Sequence, residues 1–347
     1  MHIGIVMECD LRPGRGEAAA FTEAFEITEH ADRCGIDSLW MVERHFAGED
    51  AAKGTMGAGI PSVSSTPMVI ASALAARTSR IRIGIGVSIL PLHNPVGIAE
   101  DAAALDHICG GRLEFGVGRS MDEKAYGGFG VDFAESTARQ EEALEIIKGL
   151  WTNETYGHQG KHYSFEPVNL VPRPLQQPHP PIWFAINRKE AFHHLGRMGY
   201  PILIGLRGMT VPQLKDCVDL YRASWKAAGH EGAARVLLRA PIHVGRDTRS
   251  GQEEPRASTM AAIERQSRKY KVEMPSYAEL LKDKLIYGGP RDVARRLSEI
   301  VDYLDVEGVI AECNLGGRLP QATIEQSLTY LGTEVRDLMN KERLAYA

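Results

Sequence analysis

Cysteine is sparse in this chain of 347 residues: five, at Cys9, Cys34, Cys109, Cys217 and Cys313, with no CxxC pair. An odd, scattered set supports neither a disulfide frame nor a zinc cluster, and points to reduced thiols in a cytoplasm. No window approaches ~18 consecutive apolar residues, so nothing is expected to span a bilayer. The opening "MHIGIVMECD" lacks the charged and apolar regions of a secretory signal. Excess charge is also missing. Forty-five acidic against forty basic residues leave a net charge of −5, which gives no electrostatic reason to bind nucleic acid or anionic membrane. Nucleotide motifs are incomplete: "GVGRSM" and "GIGVSI" each hold a GxG without the third glycine, and no P-loop occurs. No GxSxG elbow occurs either. His158 and His162 in "GHQGKH" have metal-like spacing but no third ligand or carboxylate nearby, so a polar loop is expected and no metal site.

What the chain does have is an alternation of short β-branched apolar runs with longer stretches of helical period. The runs are "HIGIVME" (2–8), "SLWMVE" (38–43), "RIRIGIGVSI" (80–89), "RLEFGVG" (112–118), "PIWFAI" (181–186), "YPILIG" (200–205), "RVLLRAPIHV" (235–244) and "GVIAECN" (308–314). Eight strands, each followed by a helix with a right-handed crossover, close most simply as a (β/α)8 TIM barrel. With no composition shift, a single domain over 1–347 is expected. Asn94, Pro95 and Gly110 suit the cap, first residue and stop of one helix. Thr137 with Gln140 suits a capping box for another, which carries Leu144, Ile147 and Trp151 on one face. Gly48–Ser65, Asn153–Pro180 and Arg246–Gly289 exceed the short connections such a barrel needs. The last is long and charged, with helical patches. It reads either as a surface excursion or as a lid over the barrel mouth at about 246–289.

Ligands in such barrels sit at the carboxyl ends of the strands. In the third run Ile81, Ile83, Ile85, Val87 and Ile89 alternate with Arg82, Gly84, Gly86 and Ser88. In the fourth, Leu113, Phe115 and Val117 alternate with Glu114, Gly116 and Gly118. Turning the apolar sets to the helices leaves the small sets inside, as a shelf for a planar ligand or as room for a bulky neighbour. Arg119 follows at the rim. Asn187 could cap the helix after the fifth strand, with Arg188 and Lys189 flanking its first turn, and such a basic helix start suits a phosphate. Gly316–Gly317 in "NLGGRLP" is a rival phosphate site. "MVERHF" ends a buried strand on Glu43, Arg44 and His45, which marks either a run into solvent or the mouth of a site.

In order and spacing, "GIDSLWMVERHF", "LPLHNPVGIAED", "GRLEFGVGRS" and "PIWFAINRKEAFHHLGRMGYPILIG" resemble the bacterial luciferase-like family of flavin-dependent monooxygenases, and the resemblance covers nearly the whole chain. It implies the barrel, usually as a homodimer, with reduced FMN or in some branches the deazaflavin F420. It places a bulge, often with a non-prolyl cis peptide, at Gly86–Val87 beneath the flavin ring. The phosphate goes to Arg119 and to the strand end Phe184, Ala185, Ile186, Asn187 and Arg188, which favours that end over Gly316–Gly317. Glu43 takes the carboxylate position at the flavin edge, and Gly118 stands where luciferases have a cysteine. Arg44 replaces the first of two histidines, so the base role passes to His45, with His93 a second candidate. Arg44 would then meet an anionic substrate group or hold Glu43, unless it turns outward into a surface ion pair. The implied reaction is FMNH2-dependent monooxygenation of a small organic substrate by O2 through a flavin C4a-(hydro)peroxide, with FMNH2 supplied by a separate reductase. The alternatives are an F420-dependent dehydrogenase and a non-catalytic flavin-binding partner subunit.

Overall fold

A computed structural model describes residues 1–12, 14–48 and 61–346; most of the expected long segment Gly48–Ser65 lies outside them. Eleven strands are seen among the described residues: β1 (His2–Met7), β2 (Ser38–Met41), β3 (Arg82–Ile89), β4 (Leu113–Gly118), β5 (Tyr156–Gln159), β6 (Ser164–Val168), β7 (Ile182–Ile186), β8 (Ile202–Gly205), β9 (Val236–Val244), β10 (Ile286–Gly288) and β11 (Gly308–Glu312). Eight of them pair in parallel in the order β1-β2-β3-β4-β7-β8-β9-β11, and β11 returns to β1. The barrel is closed, and all eight expected strands are in it, each within two residues of its expected ends.

Three strands were not expected. β10 is a three-residue addition to the upper part of β9. β5 and β6 form an antiparallel hairpin outside the barrel, in the stretch read as a polar loop around His158 and His162. A carboxylate does lie there in space: Glu142 accepts from the backbone N–H groups of His162 and Tyr163 and from His158 Nε2 at 3.3 Å. It staples the hairpin turn to the helix Ser136–Thr152.

Helix starts follow side-chain chemistry only in part. Asn94 accepts from the N–H groups of Val96 and Gly97 and caps Pro95–Ile108 as expected. The Thr137–Gln140 box is not formed. A 3-10 turn, Phe133–Glu135, runs directly into Ser136–Thr152, so the helix begins before Thr137 and has no side-chain cap.

Leu113, Phe115 and Val117 do turn to the helices, with Phe115 edge-on to Trp151 at 5.3 Å. Inside, Trp40, Trp183, Leu203, Leu237 and Ile310 fill the barrel, with the two indoles 5.7 Å apart at 84°. Their N–H groups are satisfied by Ser38 Oγ at 2.9 Å and Glu114 Oε2 at 2.6 Å, as buried indoles require. A Cβ on Gly84 would lie 2.5 Å from the Trp40 ring. At that depth the glycine makes room for a bulky neighbour and forms no shelf. Higher up, the register of β3 against β4 shifts between Ile85 and Ser88, and Gly86–Val87 is a cis peptide. The bulge breaks the alternation, so Val87 faces the barrel mouth instead of the helices, where strict alternation had put it.

Residues 246–289 are not a bare loop. They hold the helices Thr248–Glu253, Arg256–Tyr270 and Tyr277–Asp283 followed by β10. Ala262, Ile263, Tyr277, Leu280, Leu285 and Tyr287 form a small apolar cluster with Leu315. Ser258 Oγ donates to the Leu315 carbonyl at 2.9 Å, tying these helices to the loop after β11.

Candidate active site

At the carboxyl ends of the strands the barrel opens into a cavity of about 1130 Å³. This exceeds the ~300–1,000 Å³ usual for one small ligand, so a cofactor and a substrate fit together. The twelve residues singled out from the sequence (Glu43, Arg44, His45, Gly86, Val87, Gly118, Arg119 and 184–188) all line it. His93 touches it through Glu43.

Glu43 is buried with two ring N–H groups on one oxygen: His45 Nε2 and His93 Nε2 both lie 2.7 Å from Oε1, and the Ile89 N–H reaches Oε2 at 2.9 Å. Burial alone would raise its pKa; the bonds from His45, His93 and Ile89 outweigh burial and hold it below the ordinary carboxylate value. Burial would lower His93, but the bond and charge of Glu43 raise it. These three side chains also have the atom types of a metal site, within 4.8 Å of one another. Hydrogen bonds already account for the approach of each histidine to Glu43. His45 is further fixed by Phe129, edge-on at 4.6 Å.

Arg44 does not hold Glu43, nor does it turn outward. Its Nη2 lies 2.8 Å from Glu8 Oε2, with the side chain 19% exposed. Glu8 also accepts from Arg239 Nη2 at 3.0 Å. Arg239 Nε donates in turn to Glu312, which takes Arg207 Nη2 at 3.0 Å. Burial would raise Glu8, but Arg44, Arg239 and Arg207 hold it at about 2. Sequence reasoning missed this network. Glu8 follows β1 and Glu312 ends β11, so each closes a buried strand on a carboxylate, the same signal that drew attention to "MVERHF".

On the other side of the mouth, Arg119 lines the cavity and donates through Nη1 to Ser136 Oγ at 3.1 Å. Asn187 does not cap the helix Lys189–Met198. Arg188 occupies that position, and no side chain caps the first turn. A helix start with no side-chain cap, with Arg188 at its N-cap and Arg119 lining the same cavity, offers the kind of donors that suit a phosphate. The rival at Gly316–Gly317 is closed by protein: a Cβ on Gly316 would lie 2.1 Å from the Ser258 carbonyl oxygen, and Arg318 N–H donates to Ser258 Oγ. Gly86, Val87 and Gly118 also line the cavity, and a Cβ on Gly118 would meet the Val87 methyl at 2.5 Å. Thr137, Gln140 and Gln266 complete parts of the wall, and the sequence marked none of them as such.

The sequence profile described as Luciferase-like monooxygenase matches residues 1–305. The chain belongs to that family. Among its luciferase-like relatives, the flavin-dependent trigonelline monooxygenase oxygenase component of Acinetobacter baylyi is 31% identical over 48% of this chain. The alignment takes in 43% of that relative, so this chain spans less than half its length. Monooxygenase RslO1 from Streptomyces bottropensis superposes with a TM-score of 0.85 at 21% identity, over 97% of this chain and 99% of that one. The oxygenating constituent of 3,6-diketocamphane monooxygenase from Pseudomonas putida, solved with FMN, gives 0.77 at 18% identity, over 96% and 97%. At these identities the two structures establish the luciferase-like barrel fold.

Proposed function

We propose that this protein is the oxygenase of a two-component monooxygenase, taking reduced FMN from a separate reductase and placing one oxygen atom of O2 in a small organic substrate. The observation that carries the reading is the start of Lys189–Met198, which has no side-chain cap, in one cavity with Arg119, Arg188, Gly86, Val87 and Gly118. Reduced FMN, when bound, supplies the electrons that activate O2. The chain's own tasks are to hold the phosphate at Arg119 and the strand end 184–188, to support the ring over the bulge, and to keep water out. Glu43 orients His45, whose imidazole stands at the cavity wall as the acid/base group of the site. The helices of 246–289 act as a cover, since Gln266 reaches the cavity from them. The working unit is a homodimer, two chains of 38.1 kDa, which sedimentation would resolve.

FMN titration tests the reading. Arg119→Ala should weaken binding by ~2–3 kcal/mol, roughly 30- to 150-fold, with the fold intact. Unchanged affinity, or wild-type protein that takes F420 and refuses FMN, would refute it. O2 uptake with chemically reduced FMN and a substrate panel, followed by mass spectrometry for oxygenated products, tests the chemistry.

A further inference from the structure

The charge network missed in the sequence suggests what the second occupant of the cavity is. Its members come from β1, β2, β9, β11 and the end of β8, and β11 stands opposite β4 in the ring of eight strands. Arg119 follows β4, so the network lies across the mouth from the phosphate end.

Three guanidinium groups, Arg44, Arg239 and Arg207, share two carboxylates, Glu8 and Glu312. Among the described residues the remaining carboxylate close by is Asp10. It accepts from Asn314 Nδ2 at 2.7 Å, and burial together with the Glu8 charge pushes it up to about 7. Near neutral pH it is therefore only partly ionised. A buried excess cation is costly unless a further anion or solvent reaches it.

The members are not equally engaged. Arg239 is bonded on both sides, to Glu8 and to Glu312. Arg44 faces Glu8. Arg207 makes one hydrogen bond among the described residues, to Glu312 Oε1, and its side chain is 29% exposed at the cavity wall. A guanidinium carries five N–H donors, so Arg207 has donors left for a ligand. Around it the wall is apolar, with Val6, Leu203, Met209 and Ile310.

We infer that the substrate of this site is an organic anion, a carboxylate on a mainly apolar body, whose charged end is held by Arg207 opposite the flavin phosphate. The inference names the substrate class of the proposed monooxygenase and rests on that reading for the reaction. The anion site itself follows from the unspent donors of Arg207 at the cavity wall. A planar carboxylate can meet the guanidinium fork with two charge-assisted bonds, which neither an amide nor an alcohol reproduces.

Matched acid and amide pairs test it: benzoate with benzamide and hexanoate with hexanamide, titrated by calorimetry into the full-length protein with and without saturating FMN. For at least one pair the acid should bind ~10-fold or more tightly than its amide, at a Kd below about 10 mM. Arg207→Gln should bring that acid to within about threefold of its amide while leaving FMN affinity unchanged, and Arg207→Lys should retain part of the preference. Thermal melts confirm that each variant is folded; if Arg207→Gln is not, the Lys variant decides by a loss of ~3- to 10-fold. Acids that bind no better than amides, no binding by either pair, or an undiminished preference in the folded variants would overturn the inference. If FMN fails to bind but the acid preference persists in its absence, the flavin reading falls and the anion site stands.

Discussion

Glu43, Arg44 and His45 are consecutive, yet only two of them act together. In extended backbone, neighbouring side chains point to opposite sides. Glu43 and His45 thus meet, joined by His93, while Arg44 goes the other way to Glu8. The sequence could mark the strand end as a site because ionisable residues closed a buried run. It could not say which partners they would find, because Glu8 and His93 lie on other strand ends. The Glu43–His93 pair carries a pH signature. Glu43 is depressed in the fold, so its contribution to stability is complete above its ordinary 4.5 and is lost as pH falls through the lowered value. His93 is raised, so its contribution is complete below its ordinary 6.5 and is lost as pH rises through the raised value. Both are present between those two values. His93→Gln should therefore cost about 1–3 kcal/mol in that window and clearly less in alkali. Urea unfolding of both proteins at pH 5.5 and pH 9 checks this, and an equal cost at the two pH values would contradict it.

At the scale of elements, the bulge in β3 decides the shape of the floor. Strict alternation predicts the lower half of the strand correctly and fails above Ile85, because an inserted residue reverses the phase of everything after it. Nothing in "IGIGVSI" announces a bulge except its glycines; the family resemblance did place it at Gly86–Val87. Since Gly118 sits against the Val87 methyl at 2.5 Å from where its Cβ would be, Gly118→Ala must push Val87 into ligand space. FMN affinity should fall at least ~10-fold, and overpacking should cost about 1–3 kcal/mol of stability. Retained affinity would mean that the flavin does not rest on this floor. The segment 246–289, proposed above as a cover, has a weak point of its own. Between Arg256–Tyr270 and Tyr277–Asp283, Tyr270, Val272 and Met274 are exposed and Lys271 has a φ of +52°. Trypsin should cut first around Lys269 and Lys271, and more slowly with reduced FMN and a carboxylate bound. Equal rates in both states would make 246–289 a fixed decoration of the barrel and no lid.

The whole barrel was legible because buried parallel strands read as apolar runs, and eight such runs admit one simple closure. The charge network was not, because Glu8, Arg239 and Glu312 are far apart in the chain and only closure brings their strands side by side. The hairpin β5–β6 escaped for a similar reason, its anchor Glu142 belonging to the preceding helix. Closure has one more effect, and it is optical. The interior is plugged by Trp40 and Trp183, and Trp40 also lines the cavity floor beside Gly86. A flavin absorbs light where tryptophan emits, so a ring lying on that floor would drain the indole excitation by energy transfer. Cofactor loading should dim the intrinsic fluorescence without any added label, and Trp40→Phe should remove a large share of that dimming. Four tryptophans in all, two of them in the plug, give the barrel a built-in gauge of whether its mouth is filled.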